Sequence, residues 1–232
     1  MAVPAKLAAR PQRRAEERPA PQRRAEERPA PKLGGKRERT RTKILETAFG
    51  LIGNEKGLTV RIEEICAFAQ VSRGTFYNYF TSLEQLFEIL AVELSHDLNR
   101  ALVATFDETQ SHAEGANAAI QHYLNYARRD PAWAWAMVHL SAFGPTFGSE
   151  AWAACHRAIA KGIEAGEFDV PNAVAGRDLM TGTVLATVRT TLRGGRSQPR
   201  AIAHHVLRAL GVPDARAREI TESPLPDIVV PK

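Results

Sequence analysis

Past residue 36, apolar residues recur at intervals of three and four, the spacing of helices that bury one face. Ile44, Ala48, Leu51 and Ile52 mark a first helix, which Gly53 and Gly57 end. Val60, Ile62, Ile65, Ala69 and Val71 mark a second, with Thr59 as its expected N-cap and Glu63 and Glu64 at the positive end of its dipole. Gln70 and Val71 interrupt the pattern, and Ser72 restarts it as a second N-cap. The helix that follows is short. Phe76 and Phe80, four apart, can face inward, while Arg73, Thr75, Tyr77 and Asn78 fall elsewhere. Ser82 then caps a long helix through Leu83, Leu86, Phe87, Leu90 and Leu94, with no Pro or Gly before Gly115.

The same periodicity continues. Ala119, Ile120, Tyr123, Leu124 and Ala127 form one stripe, and Asp130-Pro131 opens another through Trp133, Trp135, Met137, Val138 and Leu140. Gly144-Pro145 breaks it. Ser149 is expected to cap a helix through Trp152, Cys155, Ile159 and Ile163 that ends near Gly166. Residues 172–193 form a helix rich in small and β-branched residues, and Pro199 starts a last one through Ile202, Val206, Leu207 and Leu210. From Pro213 onward, four prolines and few apolar residues predict a loose tail over 214–232.

Charge sharpens this picture. Residues 1–43 hold 14 Lys/Arg against 5 Asp/Glu, whereas the remainder holds 17 against 21. The basic excess therefore sits beside the short polar-faced helix, where phosphate attraction would concentrate. Within that arm the decapeptide PQRRAEERPA occurs twice, at 11–20 and 21–30. Proline-rich and almost without apolar residues, segment 1–35 reads as a disordered basic tail able to add non-specific DNA affinity. A short helix with a thin apolar stripe and an outer set of Arg, Thr, Tyr and Asn has the chemistry to lie in a DNA major groove.

Val71-Ser72-Arg73-Gly74-Thr75-Phe76-Tyr77-Asn78-Tyr79-Phe80, followed by Ser82-Leu83-Glu84-Gln85-Leu86-Phe87, resembles the helix-turn-helix of the TetR family of bacterial regulators. The resemblance covers roughly residues 36 to 90. Two positions depart from it. Gln70 stands where the family usually has Gly, at a turn position that often needs positive φ, and Leu83 stands where a phosphate-touching Lys is common. The resemblance implies an all-α fold: a three-helix helix-turn-helix DNA-binding domain at 36–82, then a larger helical ligand-binding and dimerisation domain at 83–213. It implies DNA contacts from Thr40, Arg41, Thr59, Arg61, Ser72, Arg73, Gly74, Thr75, Tyr77, Asn78 and Tyr79. Arg73 and Asn78 suit base edges, Tyr77 a base or phosphate, and the Thr, Ser and Tyr79 hydroxyls phosphates. It implies a homodimer joined through the last two helices, a near-palindromic double-stranded operator, and release by an unknown small-molecule inducer. Candidates to line the inducer pocket are Phe106, Tyr123, Tyr126, Trp133, Met137, Phe143, Phe147 and Trp152.

Other chemistry finds no support. The two cysteines, Cys66 and Cys155, suggest neither a disulfide nor a metal site, and read as reduced cytosolic thiols. No HxxxH, CxxC or HExxH spacing occurs, and no phosphate-binding loop or nucleophile elbow. The expectation is a cytoplasmic, non-enzymatic, cofactor-free regulator, a repressor in sign, without membrane association. Two alternatives stand beside it: a small-molecule-binding helical protein, and an arm-driven non-specific DNA binder.

Overall fold

The computed structural model describes residues 33–105, 111–145 and 147–228. The duplicated decapeptides, residues 1–32 of the tail expected to be disordered and the pocket candidate Phe106 lie outside the described residues, while the last three residues expected in that tail, 33–35, instead open the first helix. Ten α-helices and no strand occur among those described. They are α1 (Leu33–Ile52), α2 (Ile62–Ala69), α3 (Arg73–Tyr77), α4 (Leu83–Thr105) and α5 (His112–Arg129). Then follow α6 (Pro131–Leu140), α7 (Gly148–Glu164), α8 (Ala173–Leu192), α9 (Pro199–Ala209) and α10 (Asp214–Glu222).

Helices α1–α3 form a small unit around Ile44, Ala48, Ile52, Ile65, Phe76 and Phe80, all essentially without solvent contact. The caps depart from the sequence in one place. Thr59 closes a 3-10 turn over Gly57–Thr59 and its hydroxyl donates to the Lys56 carbonyl. The N-cap of α2 is Arg61, whose backbone N–H donates to the Glu64 carboxylate at 2.9 Å. That contact satisfies an N–H at the helix start without needing a hydroxyl at the cap itself. Ser72 caps α3 as the pattern predicts, accepting from the Thr75 N–H at 3.0 Å.

Helix α4 leaves this unit and runs into the second. It buries Leu86 and Phe87 in its first half and Leu98 and Leu102 in its second, and packs on α1 of the first unit and on α5, α6 and α7 of the second. A seam joins the two units on another side. His139 of α6 bonds the Ile52 carbonyl, the last of α1, through Nδ1 at 3.0 Å. Gly53 lies so near the first turn of α6 that a Cβ there would stand 3.0 Å from the Ala132 carbonyl. Arg41 of α1 pairs with Glu93 of α4 at 2.9 Å.

The second unit corrects three expectations. The helical pattern expected to run from Ser82 up to Gly115 gives way to a second helix before it: Ser111 caps α5, and Gly115 sits inside that helix. Helix α7 starts at Gly148, one residue ahead of Ser149, from a Phe147 held at φ 62°. The loose tail expected from residue 214 begins instead with α10, which packs on α5 and α9 through Ala217, Ile220 and Thr221. The prolines bracket this helix rather than break it: Pro213 precedes its first residue and Pro224 follows its end. Arg200 of α9 fastens its C-terminus by donating to the Thr221 and Glu222 carbonyls at 2.8 and 2.7 Å.

Candidate DNA-reading surface and ligand cavity

Only five residues long, α3 has no stability of its own and depends on what lies beneath it. Phe76 and Phe80 supply that anchor, fully buried with ring centroids 5.6 Å apart. Their burial turns Arg73, Gly74, Tyr77 and Asn78 outward, all of them exposed. Arg73 pairs across the turn with Glu63 of α2 at 2.9 Å, and the Tyr77 hydroxyl and Glu63 both reinforce its positive charge. Ser72 and Thr75 share a hydroxyl contact of 2.9 Å. Around this face, Thr59 and Arg61 are exposed, while Tyr79 is half-buried with Arg37 above its ring. Thr40 turns its hydroxyl back to the Lys36 carbonyl, and Arg41 is engaged with Glu93. Arg41 is the less accessible of the two paired arginines, its side chain 33% exposed against 61% for Arg73.

The turn ahead of α3 keeps the shape that the family Gly serves. Gln70 adopts φ 53° and ψ 45°, with its N–H on the Ala67 carbonyl at 3.2 Å and the Val71 N–H on Cys66 at 3.0 Å. That pair of bonds is a Schellman closure with a side chain in the left-handed region. Leu83 takes the first position of α4 and is partly buried against the core, so it offers phosphate no charge.

A cavity of about 670 Å³ opens in the second unit between α4, α5, α7 and α8. Tyr123 and Phe147, two of the candidate residues, line it, with ring centroids 4.9 Å apart. The remaining described candidates do not. Trp133 and Met137 point from α6 into the packed core, with the Trp133 indole donating to the Leu94 carbonyl at 2.9 Å. Tyr126 packs edge-on against Trp133. Phe143 meets Phe87 in a separate shallow cleft beside α4. Trp152 lies under the Arg177 guanidinium, 4.0 Å from ring centroid to Cζ. The wall residues that sequence reasoning missed are mostly aliphatic or small, among them Leu102, Ile120, Phe168, Met180 and Val184. Inward aliphatics carry no signal that separates a cavity wall from ordinary core.

Neutral groups dominate the interior. Burial pushes the Tyr123 phenol well above its ordinary range and the Cys155 thiol up to about 12, so neither ionises at neutral pH. Next to the mouth, Glu167 from the α7–α8 loop closes the start of α5. It accepts from the Ser111 hydroxyl at 2.5 Å and from the His112 and Ala113 N–H groups at 3.0 Å each. Burial alone would raise its pKa, but these bonds to the ionised form outweigh it and leave the carboxyl below its ordinary value. Among the described residues, no group of His, Cys, Asp and Glu could hold a metal ion, and no helix is long and apolar enough to cross a membrane.

Known proteins share both halves of this arrangement. Residues 44–90 match the bacterial regulatory proteins of the tetR family, and residues 111–223 match the tetracyclin repressor-like C-terminal domain. No curated protein sequence matches the chain. Among solved structures, RolR without ligand is 27% identical at a TM-score of 0.65, over 80% of this chain and 98% of that one. RolR in complex with resorcinol is 27% identical at 0.68, over 84% and 98%. FadR from Bacillus subtilis with stearoyl-CoA shares the fold at 18% identity and 0.57, over 73% and 96%. With the helix-turn-helix and the cavity-bearing helical domain each matched in place, the chain belongs to the TetR family of DNA-binding transcriptional regulators, which are not enzymes.

Proposed function

We propose that the protein is a cytoplasmic, homodimeric repressor that binds a near-palindromic operator and releases it when a small apolar molecule fills the cavity. One observation carries the DNA reading: Phe76 and Phe80 are buried while Arg73, Tyr77 and Asn78, on α3 and its C-cap, stand in solvent. A helix so divided has no use for its polar face inside the molecule. Arg73 and Asn78 would bond guanine and adenine edges, with Tyr77 beside them. Thr59, Arg61, Ser72, Gly74, Thr75 and Tyr79 would meet the backbone, with Thr40 and Arg41 at the margin.

Two copies would join through α8 and α9. On α8 the exposed face carries Ala175, Gly182 and Ala186, and a Cβ built on Gly182 meets nothing within 4 Å. Such a face allows close approach of a second helix. Release would be a population shift, with the ligand favouring a dimer whose α3 helices no longer match successive major grooves. Helix α4 is the natural lever, because Leu102 lines the cavity while the same helix packs on α1 and holds Arg41 through Glu93. The resorcinol complex of RolR supports a small ring compound as occupant of such a domain.

Footprinting on the DNA upstream of the protein's own gene tests the reading. A symmetric protected site is expected, with operator affinity falling at least ~10-fold in Tyr77→Ala. Unchanged affinity in that variant, with dimer and helix content intact, would remove α3 from the groove.

A further inference from the structure

The cavity is neutral within and carries two cations at its mouth, where the nearby Glu167 carboxylate is already held by Ser111, His112 and Ala113. Arg157 and Lys161 of α7 both line it, both are exposed, and neither has a carboxylate partner among the described residues. Five other arginines of this unit, Arg128, Arg129, Arg189, Arg193 and Arg196, are likewise outside the ion pairs among the described residues, but none of them lines the cavity, and Arg177, Arg208, Arg216 and Arg218 are held by Asp178, Asp214 and Glu114. Arg157 also lines a shallower surface cleft that shares Asn99, Val103 and Ala154 with the cavity, so the guanidinium stands where the interior meets solvent. Just inside, Asn99 accepts a long bond of 3.3 Å from the Tyr123 hydroxyl and keeps its amide N–H groups available. Deeper still the wall is apolar, with Ile120, Phe168 and Val184 each at most 5% exposed.

We propose that the effector is an apolar monocarboxylic acid, its ring or chain among Ile120, Phe168 and Val184 and its carboxylate on Arg157, with Asn99 and Lys161 beside it. This deepens the ligand-released reading and rests on it. The chemistry divides the labour simply. A carboxylate buried in the apolar interior would lose its hydration without a partner, whereas at the mouth it keeps water and gains charge-assisted bonds. A volume of about 670 Å³ is ample for a ring or a medium-length chain and lies inside the ~300–1,000 Å³ of small-molecule sites. A neutral phenol would use Asn99 and Tyr123 but leave Arg157 and Lys161 without a role.

Isothermal titration of the full chain with matched pairs separates these cases. Phenylacetate is compared with phenylacetamide, decanoate with decanamide, and resorcinol serves as the neutral phenol. The acid of at least one pair should bind ~10-fold or more tightly than its amide, an advantage that shrinks as salt is raised. Arg157→Gln should abolish that advantage and Lys161→Gln reduce it, while amide binding stays within ~2-fold in both because the apolar wall is untouched. The proposal is overturned if no acid binds, if amides or resorcinol bind as tightly as the acids, or if the preference survives in the double variant. Operator release measured alongside keeps two failures apart. Release by resorcinol with the acids inert sinks the anion and spares the ligand-released regulator, whereas binding of an acid without any change in operator affinity sinks the regulator reading and spares the anion.

Discussion

Replacing Gln70 by glycine should stabilise this protein, although it removes a side chain. Gln70 closes α2 at φ 53°. For an L-residue that conformation brings Cβ against the carbonyl oxygen and costs roughly 1–2 kcal/mol. Glycine feels none of this. It does give the unfolded chain more freedom, which takes back about 0.4–1 kcal/mol. The side chain is exposed, so little packing is lost. The balance is a gain of roughly 0.5–1 kcal/mol, which for a chain of this size is a rise of about 1–4 °C in Tm at fixed protein concentration. Differential scanning calorimetry of Gln70→Gly, Gln70→Ala and Gln70→Val reads the mechanism as well as the number. Alanine keeps Cβ and should stay near wild type, and β-branched valine should fall below it. If glycine gave no more than alanine, the turn would be unstrained and the reasoning wrong. Because Gln70 immediately precedes the cap of α3, the glycine variant should also hold its operator at least as well as wild type.

Two more outcomes follow from the cavity. Glu167→Gln should weaken the start of α5 at neutral pH. The folded-state pKa of Glu167 is depressed, so its stabilisation is present above the unfolded value near 4.5 and lost as pH falls through the lower folded value. Thermal melts should therefore show wild type and variant converging in acid, and a gap that persisted there would assign the effect to lost packing. Gly162→Ala should cost ~1–3 kcal/mol and disturb ligand binding, because the new Cβ would stand 2.3 Å from the Phe168 ring that lines the cavity. A variant with unchanged melting and unchanged affinity for the tightest compound of the titration panel would show that Phe168 is free to swing away.

The DNA unit was legible because its signals are local. A cap hydroxyl at Ser72, two Phe residues one turn apart and polar residues between them fix α3 within nine positions of sequence. The positive φ at Gln70 was legible only through the family resemblance, in which Gly usually holds that turn position. The cavity was not legible, because which face of α6 turns inward depends on four other helices. Trp133 and Met137 carried the aromatic and sulfur chemistry expected of a pocket but were spent on core, while Leu102, Ile120 and Val184 joined Tyr123, Phe147 and Phe168 in the wall. Glu167 escaped notice because its partners lie more than 50 residues away. Helix α10 was missed because proline was weighed as a breaker when it served as a boundary.

The contacts between α1 and α6 bear on how such a protein could be rebuilt. At Gly53 a Cβ would crowd the Ala132 carbonyl at 3.0 Å and push the two helices slightly apart, and the Ile52 carbonyl has its bond from His139. A chimera that grafted a foreign reading head by cutting anywhere ahead of α4 would have to bring glycine at 53 and keep imidazole at 139. Otherwise the new head would bind its own sequence yet ignore the effector, like a dial whose pointer has come off the spindle.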